Sequence, residues 1–330
     1  MEARMLGRTG RRVGVIGLGA WQLGADWGRL EESEALGTLH SALESGVDFV
    51  DTADEYGDGR SEQIIGEFLR WCARTGARKP TVATKMGRRL PQEPENYNAA
   101  NFRAWTDRSR RNLGVERLDL VQLHCPPDPV YACDEVFDAL DALVADQAIA
   151  AYGVSVRTCE QALAAIARPG LATVQIVLNA FRMKPLERVL PAAARAGVGV
   201  IARVPLASGL LSGRYTAATV FGADDHRSYN RHGEVFDAGE TFSGVDFTTG
   251  LEAVERLRPL VPQGTSLAQF ALRWIIDQEA VSVVIPGARN ARQAHGNAAA
   301  AALAPLDQDT HRAVQEVYDQ LIRPQIHHRW

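Results

Sequence analysis

The chain has 330 residues, 46 % of them apolar and 23 % charged, an ordinary globular composition with enough material for a large core. With 36 Lys and Arg against 40 Asp and Glu the formal charge is −4, which excludes the dense basic face that displaces phosphate counterions from nucleic acid. No apolar run reaches the ~18 residues that cross a bilayer. The charged start, Met1-Glu2-Ala3-Arg4, has no apolar signal core, so the expected location is the cytoplasm.

From the N-terminus, residues 4–9 and 11–15 flank a Thr-Gly turn and predict a hairpin that plugs the floor of a barrel. Short runs rich in Val, Ile and Leu occur at 13–16, 47–52, 81–84, 118–123, 150–154, 173–178, 198–204 and 281–285. They are nearly continuous rather than alternating, as in parallel strands covered on both faces. Helical patterns separate them. Residues 33–45 place Leu36, Leu39 and Leu43 at helical spacing before Gly46, while Thr158-Cys-Glu-Gln161 and Ser266-Leu-Ala-Gln269 read as capping boxes. Eight such alternations predict an α/β fold, a (β/α)8 TIM barrel, as one domain over residues 1–330. The long polar segment 205–250, after strand 7, breaks the rhythm and reads as a functional loop or lid without a helix in its middle. A helix at 308–322 and a tail at 323–330 close the chain.

Reactive groups in such a barrel sit at the carboxyl ends of strands. Asp51 and Tyr56 follow the second run, Lys85 the third and His124 the fourth, so all four should face one cavity. A tyrosine with a pKa of about 10 is a poor acid near neutrality. A lysine ammonium ~4 Å away stabilises its phenolate by roughly 4 kcal/mol, enough to bring the phenol toward about 7 before desolvation. Asp51 would hold Lys85 charged, and His124 would donate to a substrate oxygen. A positioned acid with an oxygen-binding donor suits carbonyl polarisation, provided that something else supplies a hydride.

These residues carry a resemblance. The segments Gly17-Leu-Gly-Ala-Trp21, Asp51-Thr-Ala-Asp-Glu-Tyr-Gly57, Ala83-Thr-Lys85, Leu118-Asp-Leu-Val-Gln-Leu-His124, Tyr152-Gly-Val-Ser155, Pro205-Leu-Ala-Ser-Gly-Leu-Leu-Ser-Gly213 and Ile285-Pro-Gly-Ala-Arg289 together resemble the aldo-keto reductase superfamily along nearly the whole chain. The resemblance implies a barrel that binds NADP(H), with NAD(H) as the other option, and no Rossmann domain. In agreement, Gly17-x-Gly19 has Gln22 where a third glycine would stand. By the same resemblance Tyr56 is the general acid, Lys85 and Asp51 its partners and His124 the orienting donor. Ser155 and Gln175 match the holders of the nicotinamide carboxamide. Pro205, Leu206, Ser208, Gly209, Leu211 and Arg214 match the segment over the pyrophosphate. Gly287, Arg289, Gln293 and Asn297 match the 2′-phosphate and adenine end. Ala20, Trp21 and Asp51 also fall at cofactor positions, and Trp21 and Trp27 join Tyr56 and His124 on the substrate side.

The sequence departs from the family pattern in places. Arg203 stands where an aromatic usually stacks on the nicotinamide; a guanidinium plane can stack on a ring. Val156 replaces an asparagine, Gly287 a lysine and Gln293 an arginine. Arg289 and Arg292, where 290–293 opens a helix, are expected to compensate, because a helix N-terminus with arginines favours phosphate. NADPH is therefore expected over NADH.

The expected activity is reduction of a small aldehyde or ketone, reversible to alcohol oxidation. An alternative is a cofactor-binding regulatory subunit resembling potassium-channel β subunits, which His124 disfavours; a metal-dependent hydrolase lacks a strand-end His-x-His. The polar residues Asp224, Asp225, His226, Arg227, Tyr229, Arg231 and His232 hint at an oxygen-rich substrate read by the lid. No metal site is expected: His327-His328 has no third ligand, and Cys72, Cys125, Cys133 and Cys159 read as free thiols. The run 108–111 reads as a solvated helix face. Oligomeric state is not legible.

Overall fold

The computed structural model describes residues 1–24 and 30–330. Strands β1 (Ala3–Met5) and β2 (Arg12–Gly14) pair antiparallel as the expected hairpin. Eight parallel strands succeed them in sequential order: β3 (Leu18–Gly19), β4 (Phe49–Asp51), β5 (Thr81–Met86), β6 (Leu120–His124), β7 (Tyr152–Ser155), β8 (Thr173–Val177), β9 (Gly199–Arg203) and β10 (Val281–Val284). Parallel bridges Ile16↔Val284 and Gly19↔Gly287 close the sheet on itself, so the fold is the (β/α)8 barrel. The run at 13–16 is not its first strand. It is shared between the hairpin and the closing bridge, and Leu18–Gly19 takes that place.

The helices are α1 (Glu32–Glu44), α2 (Arg60–Thr75), α3 (Ala99–Leu113), α4 (Asp128–Ala132), α5 (Asp134–Ala145), α6 (Cys159–Ile166), α7 (Pro185–Ala196), α8 (His226–Tyr229), α9 (Phe247–Leu257), α10 (Leu267–Ile276), α11 (Ala291–Ala298), α12 (Gln308–Val317) and α13 (Arg323–Ile326). Both capping boxes form, Thr158 with Gln161 on α6 and Ser266 with Gln269 on α10. Each satisfies backbone donors that the first turn of a helix leaves without an intrahelical partner.

The barrel is filled, not hollow. Leu6 and Val13 of the hairpin are fully buried against Phe49, Ala83, Leu120, Ile201 and Val283, which face inward from the strands. Small residues at Ala83, Ala151 and Ala172 leave room for Phe49 and Leu6. Gly7, at φ +51, brings the hairpin backbone against Ala172 and Gly199 so closely that a Cβ there would collide with both. This packed lower layer leaves the carboxyl ends of the strands as the place for a cavity.

The segment 204–246 is less irregular than its composition suggested. It contains a turn at Ala207–Ser212, the short α8 and turns at Ala238–Glu240 and Phe242–Gly244, and α9 already begins at Phe247. The tail is also structured. Trp330 is buried, with its ring over the Arg182 guanidinium at 4.1 Å and its indole N–H donating to Asp237 Oδ1 at 3.1 Å. No helix of the described residues is long and apolar enough to cross a membrane.

Candidate active site

Parallel register decides which side chains meet. Lys85 on β5 lies opposite Gln122 on β6, His124 opposite Ser155 on β7, and Ser155 opposite Gln175 on β8. Because side chains on a strand alternate faces, Gln122 and His124 share the inner face of β6. The top layer of the barrel interior is therefore polar. Lys85 Nζ donates to Asp51 Oδ1 at 2.5 Å and to the Thr52 carbonyl at 2.8 Å, and it lies 3.4 Å from the Tyr56 hydroxyl. The other Asp51 oxygen accepts from Gln122 Nε2 at 3.1 Å and Gln175 Nε2 at 2.8 Å. Ser155 Oγ donates to Gln175 Oε1 at 3.2 Å. Gln122 was not singled out in the sequence, although its place two residues before His124 was the signal.

Above this layer opens a cleft of about 1050 Å³. Trp21, Tyr56, His124, Arg88, Arg203 and Phe236 line it, together with Arg214, Arg289, Arg292 and Asn297. Ala20, Asp51, Gln175, Pro205, Leu206, Ser208, Gly209, Gly287 and Gln293 also line it. Three expected contacts lie elsewhere. Leu211 is fully buried in the core, its amide donating to the Leu206 carbonyl, so its side chain is not on the cleft wall. Ser155 and Lys85 are covered by the wall rather than part of it. Trp27 lies outside the described residues.

The electrostatics differ from expectation at Tyr56. Its phenol is held well above the ordinary tyrosine range, by burial first and then by the carboxylates of Asp51 and Glu55, against the opposing charges of Arg88 and Arg203. Lys85 does not outweigh them: the ammonium is bound closely by Asp51 and the Thr52 carbonyl, and the phenol stands farther off. His124 is held well below the usual imidazole range by burial and by Arg88, Lys85, Arg203 and Arg157, so it is neutral. Its Nδ1 lies 3.2 Å from Glu55 Oε1, an electrostatic contact not aligned as a hydrogen bond. Arg88 reaches the same carboxylate at 3.6 Å and donates to the His124 carbonyl at 3.2 Å.

Arg203 forms an ion pair with Glu240 from the lid and donates to the Val156 carbonyl at 3.0 Å. The same lid turn is tied down by Ser208 Oγ, which donates to the Glu240 carbonyl and accepts from the Phe242 amide, both at 3.0 Å. Between β9 and this turn Val204, Ala207 and Ser208 all have positive φ, the conformation that L residues disfavour. Such strain persists only where surrounding contacts fix the backbone. Here Asn179 donates to the Val204 carbonyl at 2.9 Å and to Ser243 Oγ at 2.8 Å. Of the lid's polar residues, His226, Arg227 and Tyr229 reach the cleft, whereas Asp225 pairs with Arg227. Arg108 is not simply solvated: it donates to the carbonyls of Asp54 at 2.9 Å and Asp58 at 2.6 Å and so clamps the segment bearing Tyr56.

A dinucleotide fits the cleft on two observations. The volume lies just above the ~300–1,000 Å³ usual for small-molecule sites, as an extended ligand requires. Asn290 caps α11, accepting from the Gln293 amide at 3.0 Å, and this capped helix start lines the cleft together with Arg289 and Arg292.

A sequence model described as "Aldo/keto reductase family" matches residues 15–319. The chain belongs to the aldo/keto reductase family. It is an oxidoreductase of a family that works with NAD(P)H. Aldo-keto reductase YhdN of Bacillus subtilis (strain 168) is 30 % identical over 296 residues, 89 % of this chain and 86 % of that protein. The solved glycerol dehydrogenase AKR11B4 of Gluconobacter oxydans superposes with a TM-score of 0.79 at 30 % identity, covering 97 % of this chain and 95 % of that one. A probable voltage-gated potassium channel subunit beta of Oryza sativa subsp. japonica is 30 % identical over 319 residues, 93 % of each chain. Arg88, Glu55 and Glu240 are site residues of this reductase that sequence reasoning missed. Arg88 is two places beyond the end of β5 and Glu55 lies inside the Tyr56 motif, but nothing in the sequence marks Glu240.

Proposed function

We propose that this reductase uses NADPH to reduce the carbonyl of a small aldehyde or ketone, with Tyr56 as the proton donor, and oxidises the alcohol by the same groups in reverse. The observation that carries this reading is the series Asp51, Lys85, Tyr56, with polar atoms 2.5 and 3.4 Å apart, beside a neutral His124 and a cleft that Arg289 and Arg292 also line. NADPH, when bound, supplies the hydride. As the substrate oxygen becomes an alkoxide it is a far stronger base than phenolate and takes the Tyr56 proton. Lys85 then stabilises the phenolate left behind, and Asp51, held by Gln122 and Gln175, keeps the lysine in place. His124 orients the same oxygen. Gln175, backed by Ser155, and Arg203 are the groups for the nicotinamide end, and Arg289 with Arg292 for the 2′-phosphate.

Around Tyr56 and His124 the cleft is lined by Trp21 and Phe236, ring centroids 6.2 Å apart, and by the pairs Arg88–Glu55 and Arg203–Glu240. Each ion pair presents donors and acceptors together, as adjacent hydroxyls do, and its desolvation by an apolar ligand would go uncompensated. A hydroxylated aldehyde or ketone is therefore the proposed substrate class, and likeness to the glycerol dehydrogenase of Gluconobacter oxydans supports it. Oxidation of NADPH with pairs of carbonyls that differ only by hydroxyls tests the proposal: hydroxylated members should have the higher kcat/KM. Likeness to the rice channel subunit supports a second reading, cofactor binding without appreciable turnover. Tight NADPH binding with no turnover of any carbonyl would favour that one.

A further inference from the structure

Asp54 lies two residues before Tyr56, between β4 and α2, and is fully buried. Among the described residues neither of its carboxyl oxygens has a hydrogen-bond partner. Its backbone, by contrast, is fixed at both ends. The amide donates to the Lys85 carbonyl at 3.0 Å, and the carbonyl accepts from Arg108 Nη1 at 2.9 Å. A shift of this residue is therefore transmitted to the strand that carries Lys85 and to the segment that carries Tyr56.

Four charged groups act on the carboxyl: Glu62 from α2, Glu55 from the same segment, Arg89 from beyond β5, and Arg108 from α3. The two cations are engaged elsewhere. Arg89 binds the Asp58 carboxylate, and Arg108 holds two backbone carbonyls and Asp58 Oδ1 at 3.0 Å. Glu62 is itself fully buried, accepting from Thr84 Oγ1 at 2.6 Å and Asn112 Nδ2 at 2.8 Å. Burial, then Glu62 and Glu55, push the Asp54 carboxyl up to about 8. A carboxylic acid with no donor to accept from and carboxylates for neighbours keeps its proton near neutrality.

We propose that Asp54 is a positioning residue that must stay a neutral acid for Tyr56 to be held against Lys85, so that loss of its proton sets the alkaline limit of turnover. This rests on Tyr56 being the proton donor. Once ionised, Asp54 is a buried unpaired charge beside two others of its own sign. Relief comes only by admitting water or by swinging toward Arg108 or Arg89, and either movement pulls on the segment whose place the Lys85–Tyr56 contact requires. The new charge also adds to those that already keep the Tyr56 proton from leaving.

The test compares the pH dependence of kcat in the wild type and in Asp54→Asn, which keeps the shape but cannot ionise, with NADPH affinity measured alongside. Wild-type kcat should fall about tenfold per pH step above about 8. In Asp54→Asn, with NADPH affinity retained, the fall should begin at least one pH step higher. An unmoved descending limb in a variant that still binds NADPH overturns the proposal. A second measurement needs no variant and no turnover: 13C NMR of wild-type protein labelled at aspartate carboxyls should find one still protonated near neutral pH and titrating near 8. Absence of that signal also overturns it, whether or not Asp54→Asn folds. Failure of the reductase reading shows itself separately, as a wild type without turnover whose labelled aspartate titrates as expected.

Discussion

Lys85 Nζ lies 2.5 Å from Asp51 Oδ1, and the two side chains are 2 % and 5 % exposed. A pair this deeply buried is weak evidence of net stability, but removal of one partner strands the other. Lys85→Met leaves the Asp51 carboxylate, among the described residues, with Gln122 and Gln175 as its side-chain donors. Chemical denaturation should show a loss of about 3–5 kcal/mol. Turnover should fall further than this instability explains, because the phenolate of Tyr56 loses its neighbouring cation.

Glu240 reaches from the lid to Arg203, and the two are 17 % and 11 % exposed. Glu240→Gln keeps the shape but leaves the guanidinium without its counterion. A loss of about 1–3 kcal/mol is expected, less than for a fully buried pair because some solvent reaches it. Since the pair ties the lid to the substrate end, KM for a hydroxylated carbonyl should rise more than kcat falls, in steady-state kinetics at saturating NADPH.

Arg289 lies beside the capped start of α11, on the arm of the cleft assigned to the 2′-phosphate. A charge-assisted hydrogen bond to phosphate contributes about 1.5–3 kcal/mol, so Arg289→Ala should lower the preference for NADPH over NADH by roughly 10–100-fold. Titration of both cofactors against the variant checks this. An unchanged ratio would move the phosphate site elsewhere.

His226, buried in the lid with Nδ1 3.2 Å from Thr241 Oγ1, is pushed down to about 4 by burial. The unfolded chain takes up that proton near the ordinary 6.5, and the folded chain resists until about 4. The unfolded state therefore binds more protons in this window, so stability is lost as pH falls from about 6.5 to about 4. His124 acts in the same direction. Tm should decline across this range, and His226→Asn should decline less steeply.

The barrel was legible because its signals are local. Continuous apolar runs marked the strands, and two capping boxes marked α6 and α10 where they form. The short β3 was misplaced because Leu18–Gly19 has too few residues to show a pattern, while the more apolar 13–16 belongs to the hairpin and the closure. Asp51, Lys85 and His124 converge because strand ends converge in a barrel. Glu240 was invisible: it meets Arg203 only through the path of the lid, and no spacing encodes a contact 37 residues apart. The direction of the Tyr56 shift was misread for a related reason. A charge counted from sequence has no distance, and the ammonium lies nearer Asp51 than the phenol.

Proton donation by Tyr56 is tested most directly by single-turnover kinetics of Tyr56→Phe with NADPH bound. NADPH affinity should stay within about twofold of wild type while the rate of carbonyl reduction falls by about 10²–10⁴, the usual contribution of a positioned acid. Wild-type reduction rates in Tyr56→Phe would contradict the assignment, whatever happened to cofactor binding.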